Sequence, residues 1–181
     1  GYSVSLSSNG SIVAIGAIGN TSSIAVYMGH VRVYQYNGSS WSQIGADIDG
    51  EAGGDESGRS VSLSSNGSIV AIGANGNDGN GSASGHVRLY EYNGYSWTQI
   101  GTDIDGEAQD DRSGMSVSLS GDGRVVAIGA TKNDGASGTD YNMGHVRVYQ
   151  NVSGTWSQIG TDIDGEASGD FSGYSVSLSS D

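Results

Sequence analysis

Three tandem copies of one short unit make up almost the whole chain, and this repetition constrains the fold more than any other feature. SVSLSSNGSIVAIGA begins at Ser3, returns unchanged at Ser60, and returns as SVSLSGDGRVVAIGA at Ser116. GHVRVY at Gly29 returns as GHVRLY at Gly85 and GHVRVY at Gly144, each followed by a tryptophan with QIG behind it (Trp41, Trp97, Trp156) and by DIDGEA. A unit repeated at 56–59 residues is one supersecondary element that cannot bury its apolar face alone, so the copies must stack.

Each copy reads as four strands. Strand a, SVSLS, alternates apolar and serine with a period of two. An Asn-Gly or Asp-Gly pair (Asn9-Gly10, Asn66-Gly67, Asp122-Gly123) predicts a type I′ hairpin turn, which needs positive φ at both central residues. Strand b, IVAIGA, is apolar on both faces, so it belongs inside a stack, where its Ala and Gly admit a close neighbour. Strand c, HVRVYQY, turns at Asn37-Gly38 or Asn93-Gly94 into strand d around the tryptophan; the third copy departs, with Asn151-Val152-Ser153-Gly154. No segment has a helical period. The 32 glycines, with no proline and no cysteine, fit many tight turns between short strands.

The expected fold is therefore all-β: three tandem four-stranded antiparallel propeller-blade-like repeats, part of a larger propeller or a stacked array, with a β-solenoid as the alternative. The units are residues 1–56, 57–111 and 112–172, and residues 173–181 are read as the first strand of a fourth. GYSVSLSS stands at both residues 1–8 and residues 173–180. Three blades cannot surround an axis where propellers use roughly four to eight, so the chain is expected not to close on itself. It opens on Gly1 rather than Met and is expected to be a mature piece or a fragment. From the alanine of strand b to the histidine of strand c the separation is 13, 12 and then 15 residues. The length variation thus sits in one loop, where binding differences usually lie.

With this phase, the repeat resembles the FG-GAP repeat of integrin alpha-subunit propellers and of many secreted microbial proteins. The resemblance rests on SGRSVSLS at residues 57–64, on AIGA in the place of the family's GAP, and on the G-x-V-x-V-Y of strand c. It implies propeller blades, an extracellular or cell-surface location, and adhesion or ligand binding. The family often carries a calcium loop, Asp-x-Asp-x-Asp-Gly, between strands a and b; SSNGS or SGDGR stands there in this chain, too short and too poor in carboxylates for it.

The net charge of −13 repels phosphate backbones, which excludes nucleic acid as a partner. No apolar stretch reaches the roughly 20 residues of a membrane span. Fourteen of the 20 acidic residues crowd into the three linkers, where Asp47, Asp49 and Glu51, Asp103, Asp105 and Glu107, and Asp162, Asp164 and Glu166 are candidate calcium ligands. The alternative is a solvated linker whose carboxylates cap backbone N–H groups. His30, His86 and His145 occupy one position in successive copies and so belong on different sheets, as structural histidines rather than one metal site. Arg32, Arg88 and Arg147 beside Trp41, Trp97 and Trp156 form a candidate glycan-binding set, similar to the strand c–d pattern of fucose-binding propeller lectins. The competing role is filling the space between blades. Asn9, Asn20, Asn37, Asn66, Asn80 and Asn151 begin N-x-S/T sequons in turns or loops, where glycosylation acceptors must lie.

No nucleophile–base set recurs with a reason to converge, and no phosphate-binding loop precedes a helix. The expectation is a non-enzymatic extracellular repeat module, structural or adhesive, assembling with itself into a filament or surface layer. Glycans and extracellular proteins are further candidate partners. The alternative is a propeller lectin binding glycans between blades.

Overall fold

A computed structural model describes residues 1–21, 26–135 and 141–180. Among these there is no helix, and the strands form three antiparallel sheets. The first holds β1 (Ser3–Leu6), β2 (Ile12–Ala17), β3 (His30–Tyr36) and β4 (Trp41–Gln43), and β5 (Ile48–Asp49) also pairs with β3. The second repeats this with β6 (Ser60–Leu63), β7 (Ile69–Ala74), β8 (His86–Tyr92), β9 (Trp97–Gln99) and β10 (Ile104–Asp105). The third has β11 (Ser113–Leu119), β12 (Val125–Ala130), β13 (His145–Val152), β14 (Thr155–Gln158) and β15 (Ile163–Asp164). Each sheet is thus a four-stranded blade whose outer strand comes in two pieces. The acidic DIDGE segment supplies the second piece: its Ile48 and Asp49 pair with Val31 and His30.

The turns between strands a and b differ from the type I′ expectation. Gly10, Gly67 and Gly123 have positive φ (69, 73 and 74), but the preceding Asn9, Asn66 and Asp122 do not. The Gly10 N–H donates to the Ser7 carbonyl, which makes a type I turn closed by a left-handed glycine. The side chain before the glycine explains the choice. Asn9 Oδ1 accepts from Ser7 Oγ and from the Ser11 N–H, a small network that holds the turn. A type I′ turn forms instead in the third copy between strands c and d, where Ser153 and Gly154 both take positive φ between paired Val152 and Thr155.

No blade has a core of its own; the apolar residues meet between blades. Val31, Val33 and Ile48 of the first pack with Val61, Leu63, Val70, Ile72 and Tyr90 of the second. Val87, Leu89 and Ile104 of the second pack with Leu119, Val126, Ile128 and Tyr149 of the third. Strand b is accordingly buried on both faces in blades two and three, and only half-buried in blade one. The AIGA glycine permits the close approach expected of it. A Cβ at Gly73 would lie 2.1 Å from the Gly114 carbonyl oxygen, and one at Gly16 2.2 Å from that of Gly58.

The serines of strand a, which sequence alternation marks only as polar, tie one blade to the next. Leu63 N–H donates to Ser5 Oγ, Leu119 N–H to Ser62 Oγ, and Leu178 N–H to Ser118 Oγ, at 2.9–3.0 Å. Ser3, Ser60 and Ser116 Oγ donate to the carbonyls of Gly58, Gly114 and Gly173. The last pair in each series places residues 173–180 along the path of a strand a. The strand expected there is nevertheless not formed, because no strand b of its own unit lies beside it among the described residues. The variable loop before strand c falls partly outside the described residues.

Candidate functional site

The period of two along strand c sends His86, Arg88 and Tyr90 to one face of β8, against the linker of the preceding blade. Arg88 Nη2 donates to the Asp49 carbonyl at 2.8 Å, and its Nη1 lies 3.4 Å from Glu51. His86 Nδ1 lies 3.5 Å from Asp103 and 3.9 Å from Glu51. The next junction repeats the pattern: Arg147 donates to the Asp105 carbonyl and faces Glu107, and His145 sits near Glu107, Asp162 and Asp164. In blade one, where no preceding blade lies alongside among the described residues, Arg32 turns to Asp47 in a two-pronged ion pair. That pair raises the Arg32 pKa and holds the Asp47 carboxyl below its ordinary range.

Burial dominates the electrostatics of the complete junctions. Desolvation, with Arg88 adding to it, pushes the His86 imidazole down to about 4 despite two carboxylates nearby, so the ring is neutral at physiological pH. His145 moves the same way for the same reason. Loss of water raises Glu51 and Asp105 above the usual carboxylate values, although Arg88 and Arg147 pull against it.

The acidic segments do not bend into an oxygen cage. Asp47 goes to Arg32, Glu51 and Glu107 cross to the following blade, and Asp103 and Asp162 accept from Gln99 and Gln158 as well as facing histidines. Calcium needs about six to eight oxygens. The His30–Asp47–Asp49, Glu51–His86–Asp103 and Glu107–His145–Asp162 clusters offer one nitrogen and two carboxylates each, beside an arginine, and this donor set does not fit it. The capping role expected of linker acids falls to Asp55, Asp111 and Asp170. They accept the N–H groups of Ala52, Ala108 and Ala167 respectively.

Two of the three tryptophans are committed to the junctions. Trp97 Nε1 donates to the Ile44 carbonyl, and Trp156 Nε1 to that of Ile100. Trp41, the equivalent in blade one, is 47% exposed. A hollow beside Trp97 is also lined by Asp47, Asp49, Tyr90 and Ser96. Of the sequon residues, Asn9, Asn37, Asn66 and Asn80 are exposed and Asn20 and Asn151 half-buried. The Asn80 Nδ2, the atom a glycan would take, donates to the carbonyls of Gly106 and Glu107. Sequence reasoning left two junction elements unassigned: the strand-a serines and the crossing of Glu51 and Glu107 to the next blade. Their exact recurrence at one repeat position was the available signal.

No family model matches the sequence, and no curated protein is significantly similar to it. Solved structures share the fold. A 6-phosphogluconolactonase candidate of Bacteroides uniformis ATCC 8492 superposes with a TM-score of 0.61 at 12% identity, over 91% of this chain and 40% of that one. A second, of Bacteroides fragilis NCTC 9343, gives 0.58 at 14% over 91% and 39%. Kuenenia stuttgartiensis hydrazine synthase gives 0.53 at 9% over 92% and 36%. The chain thus spans well under half the length of these proteins. The expectation of a non-enzymatic module is corrected by this finding. Blades of this fold occur in chains named for lactone hydrolysis, so an architecture that counted toward a binding module no longer counts against an enzyme. At such identities the likeness is one of fold, and the fold is that of β-propeller blades.

Proposed function

We propose that this chain is a blade-stacking module with a structural or adhesive role at the cell surface or outside it. Its partner in that role is a further blade of the same kind, supplied by a second copy. One observation carries the reading. The open face of blade one presents Val4 and Leu6, 66% and 57% exposed, together with Trp41, and the exposed Arg32 stands beside them. Their counterparts Val61, Leu63 and Arg88 are buried, and Trp97 partly so, where a blade does lie alongside. Blade three offers the opposite half, with Ile159 and Ile163 exposed and Glu166 at the position of Glu51 and Glu107. An apolar face with a matching set of donors and acceptors joins head to tail, a geometry that extends or closes according to its rotation. The FG-GAP resemblance and the exposed sequons support the extracellular setting.

Multi-angle light scattering of the purified chain across a concentration series tests this. Association that is lost in a Val4→Lys, Leu6→Lys double variant is expected. A monodisperse 18.4 kDa species at every concentration would overturn it. The hollow lined by Trp97, Tyr90, Asp47 and Asp49 favours a second reading, a glycan site between blades. Glycan-array binding that weakens in Asp49→Asn identifies it, and an array without signal removes it.

A further inference from the structure

The chain has only 7 basic side chains against 20 acidic ones, so where they gather is informative. Arg88 and Arg147 serve the blade junctions, and Arg32, at the same repeat position, pairs with Asp47. Arg124 lies in the a–b turn of blade three. The other three, Arg59, Arg112 and Lys132, break the repeat. Where Arg59 stands, the other copies have Tyr2, Met115 and Tyr174; Arg112 is matched by Glu56 and Phe171, and Lys132 by Gly19 and Gly76. The repeat brings these positions together, since Glu56 and Arg112, Arg59 and Met115, and Asn75 and Thr131 are equivalent pairs. All of them, with Lys132, line one cavity of about 310 Å³ between blades two and three, where three of the lining positions carry cations.

None of these three cations forms an ion pair among the described residues. The guanidinium of Arg59 has the ring of Tyr2 beneath it, at 4.6 Å. The Nε of Arg112 is buried with no hydrogen-bond partner, and so is Oδ1 of Asn75, itself 4% exposed. Three unpaired cations repel one another, and the unsatisfied Arg112 donor costs free energy that an anion would recover. Carboxylates are abundant elsewhere on the chain, yet among the described residues Glu56 alone faces this cavity. Two guanidinium forks and an ammonium suit the oxygens of a phosphate, and the volume fits the small end of ligand sites.

We propose that this cavity is a binding site for a small phosphate dianion, either a phosphate monoester or free phosphate, held by Arg59, Arg112 and Lys132. The net charge of the chain and the concave shape favour a small ligand over a nucleic-acid backbone. The site is independent of the stacking face on blade one.

Calorimetric titration of the full chain at low ionic strength with inorganic phosphate, a hexose phosphate and the unphosphorylated hexose tests the assignment. Saturable binding of at least one phosphate species is expected. The variants Arg59→Met, Arg112→Phe and Lys132→Gly each install the residue that another copy of the repeat already has, so the scaffold tolerates them. Each is expected to weaken binding about tenfold or more, as loss of a charge-assisted hydrogen bond does. Arg124→Ser, built by the same rule, is expected to leave binding unchanged. Tighter binding of the hexose phosphate identifies an ester, and equal binding identifies the free ion. The proposal is overturned if neither phosphate species saturates, if the unphosphorylated hexose binds as well, or if Arg124→Ser weakens binding as much as the other three.

Discussion

Replacing Gly73 by alanine puts the blade-on-blade packing to a direct test. The new Cβ would lie 2.1 Å from the Gly114 carbonyl oxygen and 2.4 Å from Ser60 Oγ, where ordinary contact begins near 3.4 Å. The obstacle is the backbone of the next blade, so no side-chain rotation relieves it, and blades two and three must separate by about 1 Å. Overpacking of this kind costs about 1–3 kcal/mol. A gap of about 1 Å forfeits up to roughly half the dispersion energy of the contacts it opens. Ser60 Oγ also loses its hydrogen bond to the Gly114 carbonyl, worth about 1 kcal/mol. The sum is a destabilisation of about 3 kcal/mol or more. Equilibrium urea denaturation followed by tryptophan fluorescence measures it as a fall in midpoint. Gly19→Ala is the control, since nothing lies within 4 Å of its Cβ position and its φ is not in the left-handed region. Gly129→Ala repeats the test at the Gly173 carbonyl. A Gly73→Ala protein as stable as the Gly19→Ala protein would refute the packing argument.

Three further outcomes follow from the same junctions and turns. Trp156→Phe removes the Nε1 bond to Ile100 and is expected to cost about 1 kcal/mol, whereas Trp41→Phe, on an exposed indole, costs a few tenths at most; equal shifts in urea midpoint would count against the assignment. Stability is expected to fall as pH drops from the ordinary histidine value of about 6.5 toward 4. Below 6.5 the unfolded chain takes up a proton that buried His86 refuses until about 4, a loss of about 1 kcal/mol by pH 5.5. A flat urea midpoint from pH 7.5 to 5.5 contradicts this. Asp122→Asn is expected to be neutral at pH 7, because Asn9 and Asn66 make the same turn bonds. The Asp122 carboxyl is held below its usual range by Ser120 Oγ and the Arg124 N–H. Its contribution is therefore present above the ordinary carboxylate pKa and lost as pH falls through the lowered one, and wild type should lose stability relative to the variant below pH 4.

Much of the local structure was legible because it is periodic and local. Alternation in SVSLS, the doubly apolar IVAIGA and the Asn-Gly punctuation placed the strands in every blade, and the repeat length set their grouping. The turn type was misjudged at Asn9-Gly10, since the choice lay in the asparagine side chain bonding to Ser7 and Ser11 rather than in backbone propensity. The second piece of strand d was missed because Ile48 and Asp49 pair with β3 through tertiary contact, in a stretch whose acidity reads as linker.

What the sequence by itself determined is the unit and its phase: a four-stranded blade, apolar on faces that only another blade can cover. What the tertiary structure alone decided is which residues of one copy meet which residues of the next. Glu51 reaches Arg88 and Glu107 reaches Arg147, Trp97 and Trp156 hold the preceding blade, and three cations from separate repeat positions share one cavity. Copies of a repeat carry the same local pattern, so their spacing along the chain contains no information about the rotation of one sheet against its neighbour. That rotation is set by the glycine contacts and the interdigitated side chains between sheets, and it selects the pairs.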